Sequence, residues 1–218
     1  MTFDQLGGTL VPFADVAKLF PREDWLELGD QMEHPDRPTP LVRVIEGGLS
    51  IDELEGDDGS WALVVHGDLH ATGDLDFSTS DYRVSLLVVR GNVRARNFRF
   101  TNGANCFISG ELRCDGYVLG RYGDESARLV VSGPIIARGL LLDHVTGAHA
   151  AEYQALVDSS DGWGLPQDFA GEELEKLVVP DALWRDRFDL SSAWQVINEG
   201  RELFLPGVED RIRAARKR

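Results

Sequence analysis

A phrase built around one glycine occurs five times between residues 42 and 139, and it constrains the fold more than any other feature of the sequence. Each copy carries an apolar residue two positions before the glycine and another two positions after it. Successive glycines are separated by 20, 24, 19 and 23 residues, which is the period of a solenoid whose coils stack as layers. The glycines are Gly47, Gly67, Gly91, Gly110 and Gly133.

The residues after each glycine alternate between apolar and polar, as in a strand with one buried face. A glycine or asparagine six positions after the repeated glycine marks a second corner in most copies, and a further short strand follows it. No single coil can bury its inward face, so the coils must stack. The sequence therefore predicts a mostly β chain, a parallel β-solenoid of about five coils. Its core should contain an inward ladder of Val65, Val89, Ile108 and Val131.

A β-sandwich or barrel of hairpins is the competing fold, because it also contains short strands at regular spacing. It would place neighbouring strands antiparallel. Here like residues recur at one register from coil to coil, which parallel stacking explains and hairpins do not. We therefore expect parallel neighbours, with polar surface excursions at residues 78–85 and 121–126.

The repeat divides the chain into three parts: a capping segment at residues 1–41, the solenoid at residues 42–146 and a helical region at residues 147–218. A solenoid has two open ends whose strand edges need cover, so the first part is expected to cover the first coil. The third part is expected to form an α-helical C-terminal cap on the last coil. Its helices are predicted at residues 149–158, 171–178 and 189–203.

Charge and cysteine content restrict the possible partners and the compartment. The chain has 37 acidic and 22 basic residues and a formal net charge of -15 at pH 7. Such a chain repels nucleic acid and anionic membranes, and it favours a basic protein partner. It has neither the apolar run of about 20 residues that crosses a bilayer nor the basic start of a secretory signal. Cys106 and Cys114 are expected to be reduced and buried, so we predict a cytoplasmic protein.

The coils, with their VVxGxL and AxG-like phrases, resemble those of bactofilins, the polymer-forming β-helical proteins of bacteria. Residues 61–205 look more closely like a group of bacterial β-solenoid proteins in which a GDL repeat is followed by a VP segment and a short helix. Val178, Val179 and Pro180, and then Gln195 to Leu203, match that pattern. The resemblance implies a right-handed coil. It also implies either a self-assembling scaffold or, as members can occur beside bacterial toxins, an immunity protein.

The chain departs from bactofilins in one respect that bears on assembly. Bactofilins leave their coil ends free for end-to-end growth, whereas residues 147–218 follow the last predicted coil here. We therefore expect a monomer or a small homo-oligomer.

One polar cluster has the spacing of a metal site. His66, Asp68 and His70 lie two residues apart, and on a continuous strand they would share a face and bind a divalent metal. Gly67 marks a corner, however, which should separate the two imidazoles. We expect a solvated stripe here, with no metal and no cofactor. At the exit from the solenoid, Asp143 lies beside His144 and near His149, a pairing that we interpret as structural.

A group of arginines interrupts the acidic chain, and it is the main candidate binding site. Arg94 and Arg113 occupy the same position in consecutive coils, so they should stack about 4.8 Å apart on an outer face. Like charges at that spacing need an anion or an acidic side chain between them. Asp76, Glu111 and Asp115 offer such an acidic side chain within the chain, and the alternative is an acidic group of a partner or a glycan carboxylate. The candidate binding residues are Arg94, Arg113, Arg96, Asp74 and Asp76.

We predict no catalysis. The chain lacks the sequence motifs of a nucleophile elbow and of a phosphate-binding loop, and its period is not the strict six residues of hexapeptide acyltransferases. Asp74 and Asp76 are the one carboxylate pair that suggests a carbohydrate-active enzyme. The expected function is therefore a protein-binding module, in its most concrete form an immunity or antitoxin-type neutraliser. A bactofilin-like scaffold and a carbohydrate-active enzyme remain the alternatives.

Overall fold

The structure is a computed structural model that describes residues 1–19, 41–56, 61–79, 83–121, 127–142, 147–158 and 174–216. In these residues the chain is mostly β, and it winds into a parallel β-solenoid of about five coils. Helices occur near both termini of the chain.

The N-terminal part consists of a 3-10 turn at Phe3–Gln5, strand β1 (Thr9–Pro12) and helix α1 (Phe13–Leu19). The first coil contributes β2 (Leu41–Glu46) and β3 (Leu49–Ile51), and the second contributes β4 (Ala62–His66), β5 (Leu69–Ala71) and β6 (Leu75–Phe77). The third contains β7 (Val84–Val89), β8 (Val93–Ala95) and β9 (Phe98–Thr101), and the fourth contains β10 (Gly103–Ile108), β11 (Leu112–Cys114) and β12 (Tyr117–Arg121). The fifth contains β13 (Arg128–Val131) and β14 (Pro134–Leu142). Strands β15 (Gly147–His149) and β16 (Glu152–Asp158) continue the stack.

The C-terminal part begins with 3-10 turns at Leu174–Lys176 and Pro180–Ala182. A short hairpin of β17 (Leu183–Trp184) and β18 (Arg187–Phe188) follows. Two helices end the described chain, α2 (Leu190–Asn198) and α3 (Val208–Arg216).

The coils contribute to three stacks of parallel strands. The first stack contains β2, β4, β7, β10, β13 and β15. The second stack contains β3, β5, β8 and β11 and continues into the first halves of β14 and β16. The third stack contains β6, β9 and β12 and continues into the second halves of β14 and β16. Parallel pairing throughout the stacks confirms the predicted solenoid over the hairpin fold.

The core lies inside the coils, where equivalent side chains meet. Val65 pairs with Val89, Val89 with Ile108, and Ile108 with Val131. All four side chains are buried in one apolar cluster. The predicted inward ladder is thus confirmed, and it follows from stacking a residue pattern that repeats in register.

The repeated glycines lie at corners that stack closely on one another from coil to coil. Of the five, only Gly47 has a positive φ, so the backbone angles of the corners do not explain the other four. A Cβ at Gly67 would lie 2.6 Å from the carbonyl oxygen of Gly47, and a Cβ at Gly110 would lie 2.8 Å from that of Gly91. Glycine is therefore required because successive corners approach too closely for a side chain.

The N-terminal end of the solenoid is covered by the chain's own first residues. Phe3 and Leu6 join the core cluster of the coils. The ring of Phe3 stacks on that of Trp61, with 4.4 Å between the centroids. Strand β1 pairs antiparallel with β2, so the edge of the first stack is occupied by a strand of opposite direction that ends in Pro12.

The helix predicted at residues 149–158 is wrong. That segment contains the end of β15 and the whole of β16, so the solenoid strands run to Asp158 instead of ending at residue 146. Strand β16 pairs with β14 over six positions, from Glu152 opposite Pro134 to Asp158 opposite Leu140. Pairing along a preformed edge overrides the helical propensity of residues such as Glu152 and Gln154.

The other two predicted helices differ in outcome. Helix α2 confirms the helix predicted at residues 189–203, although the observed helix ends earlier, at Asn198. The Asp189 side chain caps it by accepting a hydrogen bond of 2.7 Å from the Ser192 amide. Of the helix predicted at residues 171–178, the first three residues lie outside the described chain, and the described part contains one 3-10 turn. The C-terminal helices pack along the side of the solenoid, against β12, β14 and β16.

Candidate functional site

The outer face of the first stack is covered by apolar packing. Val44, Val64 and Val88 point outward at the same position of successive coils and are buried. Phe13 and Val16 of α1 belong to the same apolar cluster. The sequence carried a signal for this, since runs such as LVV before the glycine are apolar at every position, which is typical of strands buried on both faces.

The outer face of the third stack is covered by the C-terminal region. Leu119 and Leu141 are buried in a second apolar cluster together with Trp194 of α2 and Ile212 of α3. Polar contacts reinforce the seam: Arg138 Nε donates a hydrogen bond of 2.5 Å to Glu209 Oε1 of α3. Two of the three lateral faces therefore carry their own cover.

The outer face of the second stack carries a column of side chains in contact with solvent, which we call the ladder face. Consecutive members of the column are paired in register, so they are spaced about 4.8 Å apart along the solenoid. Four of the six are exposed and two are half-buried, whereas outward residues of the other faces such as Val64, Val88 and Leu119 are buried. The ladder face consists of Ser50, His70, Arg94, Arg113, Ile136 and Gln154.

The predicted stacking of two arginines is confirmed on this face, because Arg94 lies opposite Arg113. As expected, acidic neighbours accompany both. Arg113 Nε lies 2.9 Å from Glu111 Oε1, whereas Arg94 approaches Asp115 only to 3.9 Å. The Arg94 side chain is 59% exposed, and exposed pairs of this kind contribute little free energy. The Arg94 guanidinium can therefore exchange this contact for a partner's carboxylate at small cost.

Arg96 and Asp74 form an ion pair at the corner beside the ladder face. Arg96 Nε and Nη2 donate to the two carboxylate oxygens at 2.7 and 2.8 Å. Asn97 Nδ2 donates a further hydrogen bond of 2.8 Å to Asp74, which is only 4% exposed. The hydrogen bond with Asp74 raises the pKa of Arg96 above its usual value. This pair fixes a corner of the coil, and Arg96 contributes its exposed edge to the surface.

Asp76 is also held by a guanidinium. It lies opposite Arg99 on the neighbouring strand, and Arg99 Nη1 lies 3.1 Å from Asp76 Oδ2. Ser78 donates to the same carboxylate through its amide and its hydroxyl. Asp74 is thus bound by Arg96 and Asp76 by Arg99, so both carboxylates are already engaged within the coils.

The candidate metal ligands are separated by the corner, as the sequence analysis expected. His66 ends β4 in the first stack, with Nε2 at 4.0 Å from Glu46, whereas His70 lies in β5 of the second stack. Asp68 Oδ1 accepts a hydrogen bond of 2.7 Å from the Asn92 amide in the next coil. Asp68 thus links two successive corners. Among the described residues, no group of three or more His, Cys, Asp or Glu side chains has the arrangement of a metal site.

The remaining candidates for reactivity are buried or only partly described. Cys106 and Cys114 are free, buried thiols, and burial raises the pKa of both above the ordinary value of 9.0. Such thiols are poor nucleophiles because the thiolate is disfavoured. His149 is exposed at the end of β15. Asp143 and His144 lie outside the described residues.

One exposed feature, the hairpin of β17 and β18, was not predicted from the sequence. Trp184 precedes its turn and is 59% exposed. Arg185 and Asp186 form the turn with φ angles of 50° and 61°, a left-handed conformation that glycine and asparagine adopt more readily. No Asn-Gly or Gly-Gly pair marks this turn in the sequence, so ordinary turn signals do not reveal it.

No protein-family model, no curated protein and no solved structure matches this chain. Within the described residues, none of the helices combines the length and the apolar character needed to cross a bilayer. The assignment of function therefore depends on the surfaces described above.

Proposed function

We propose that this protein is a non-catalytic protein-binding module that contacts its partner through the ladder face. One observation carries the proposal: a column of evenly spaced side chains, four exposed and two half-buried, occupies the one lateral face for which the described residues provide no apolar cover. Interfaces of this type gain specificity from charges placed at fixed intervals. Arg94 and Arg113 supply such charges, and His70 places a hydrogen-bonding imidazole on the same line.

The charge distribution defines the kind of partner. A net charge of -15 favours encounter with a protein that is basic overall. At the ladder face the partner would contribute carboxylates that replace Asp115 and Glu111 as counter-ions of Arg94 and Arg113. The concrete form that we propose is neutralisation of a toxin by an immunity or antitoxin-type protein in the cytoplasm. The free, buried thiols of Cys106 and Cys114 support that compartment.

Two observations argue against the alternatives. A bactofilin-like scaffold grows by adding strands at its open ends, and here the antiparallel strand β1, which ends in Pro12, occupies the N-terminal edge of the first stack. A carbohydrate-active enzyme would need Asp74 and Asp76 as a working pair, and both are bound by arginines. Light scattering over a concentration series distinguishes the scaffold from the binding module, since only the scaffold forms growing filaments.

The test compares binding by the wild-type protein with binding by the double variant Arg94→Ser/Arg113→Ser. A bound protein is captured, identified and purified, and its affinity is measured by titration calorimetry at low and high salt. We expect the double variant to bind about tenfold more weakly and with a smaller dependence on salt, because it loses two interfacial charges.

The matched control is Arg201→Ser/Arg213→Ser, which removes the same charge from two half-exposed, ion-paired arginines of the C-terminal region. We expect this variant to bind like the wild type. Equal affinities of the two double variants would contradict the assignment of the ladder face. If no protein binds specifically, the protein-binding function itself is wrong.

A further inference from the structure

The hairpin of β17 and β18 presents a large aromatic side chain on a fixed support, and we call it the Trp184 hairpin (residues 183–188). At its base Leu183 and Phe188 are paired across the strands and pack against the apolar cluster of the C-terminal region. The Phe188 amide donates to Glu175 Oε1 at 3.4 Å, and the next residue, Asp189, caps α2. The tip therefore projects from an anchored base.

Trp184 is the most exposed of the large hydrophobic side chains in the described part of the chain. The guanidinium carbon of Arg185 lies 4.2 Å from the centroid of the indole ring, a cation–π contact that restricts the side chain. A restricted aromatic side chain loses little conformational entropy on binding, and Trp and Arg are the residues enriched at the energetic centres of protein interfaces.

The turn of the hairpin contains backbone strain that another pair of residues would avoid. Two consecutive residues other than glycine, Arg185 and Asp186, have left-handed φ angles. An Asn-Gly pair would form the same turn without this strain. Residues held in strained conformations cluster at sites of function. The sequence thus keeps an arginine at a position where folding alone would favour another residue.

The charge of the tip differs from that of the molecule. Arg185 lies in the turn and Arg187 follows it; both are exposed, and Asp186 is the single acid between them. The tip is therefore locally cationic on a chain with a net charge of -15. A basic surface would be repelled by the two arginines and attracted by the rest of the molecule, whereas carboxylates complement this tip.

We propose that the Trp184 hairpin is a second, separate binding site that packs Trp184 against an apolar side chain of an extended protein segment whose flanking residues are Asp or Glu. The indole supplies the apolar contact, and Arg185 and Arg187 pair with the flanking Asp or Glu side chains. This site does not depend on the ladder face, because none of its residues belongs to that face.

A library of random dodecapeptides displayed on phage tests this proposal without knowledge of the natural partner. The library is selected in parallel on immobilised wild-type protein, on Trp184→Ala and on Leu205→Ala, a control that removes another exposed apolar side chain. We expect peptides with an apolar residue flanked by Asp or Glu to be enriched on the wild type and on Leu205→Ala, and to be lost on Trp184→Ala.

The most enriched peptide is then synthesised, and its affinity is measured by fluorescence anisotropy. We expect Trp184→Ala to weaken peptide binding about tenfold or more and Trp184→Phe to weaken it less. We expect Arg185→Gln/Arg187→Gln to remove most of the salt dependence of peptide binding. Unfolding curves establish that each variant is folded.

Three results would overturn the proposal. They are a failure to enrich any peptide on the wild type, equal enrichment on Trp184→Ala, and a consensus without acidic residues. None of them bears on the ladder face, whose test uses other variants and another ligand.

Discussion

At the scale of single residues, the stacking of the coils depends on atoms that meet between successive corners. Asp68 and Asn92 illustrate this: Asp68 accepts from the Asn92 amide, and Asn92 Oδ1 accepts from the Glu111 amide at 3.0 Å. These polar side chains bridge three corners in turn. The repeat predicted that like residues stack, but it did not predict which polar side chains join the corners. Hydrogen bonds between coils depend on the orientation of each side chain, and the repeat does not specify that orientation.

The close approach of the corners gives a prediction for a glycine substitution. In Gly110→Ala the new Cβ would meet the carbonyl oxygen of Gly91 at 2.8 Å and the side chain of Asn92. Because the backbone contact cannot be relieved by a change of rotamer, we expect the free energy of unfolding to fall by about 2 kcal/mol. Urea denaturation of the variant measures this change.

Gly7→Ala is the control for that substitution, since no atom lies within 4 Å of its new Cβ. We expect Gly7→Ala to change the free energy of unfolding by about 0.5 kcal/mol at most. A Gly110→Ala variant as stable as this control would show that the corners have room for a side chain.

At the scale of elements, the strands of the repeat were predictable, and the elements after the repeat were less so. Strand β16 lacks the glycine phrase, and its sequence pattern is typical of a helix. It forms a strand because it pairs with the edge of β14. The Trp184 hairpin has no turn signal. The side of the solenoid that the C-terminal helices cover also could not be predicted, because it depends on tertiary contacts such as those of Trp194 and Arg138.

Helix α3 is held to the solenoid by a polar seam whose contribution can be measured. Glu209 is 9% exposed; it accepts from Arg138 at 2.5 Å and from the Tyr117 hydroxyl at 3.2 Å. Glu209→Ala would leave these donors without that acceptor inside the seam. We expect the variant to lose about 3 kcal/mol of stability, as measured by chemical denaturation.

The neighbouring acid provides a matched control on the same helix. Asp210 pairs with Arg213 at 3.0 Å, but its side chain is 83% exposed. An exposed pair contributes little, so Asp210→Ala should lower the stability by about 0.5 kcal/mol or less. If the two substitutions had equal effects, the seam would not be what holds α3 in place.

At the scale of the whole molecule, the solenoid places equivalent side chains at a constant spacing along its axis. Its two apolar outer faces are used for internal packing, against α1 and against the C-terminal region, and its third face remains in contact with solvent. Because the strands are parallel and in register, residues at equivalent positions of the repeat form a line of side chains at constant spacing. The binding surface that we propose exists only if His70, Arg94 and Arg113 lie on successive rungs of that line.

Disulfide cross-linking between rungs tests this register directly. In His70→Cys/Arg94→Cys the two Cα atoms would be about 4.8 Å apart, within the range of a disulfide, whereas in His70→Cys/Arg113→Cys they would be about 9.6 Å apart and outside it. Cys106 and Cys114 are buried and should not interfere. After mild oxidation and mass spectrometry, the account predicts an intramolecular disulfide in the first variant and none in the second. A disulfide in the second variant, or free thiols in the first, would contradict it.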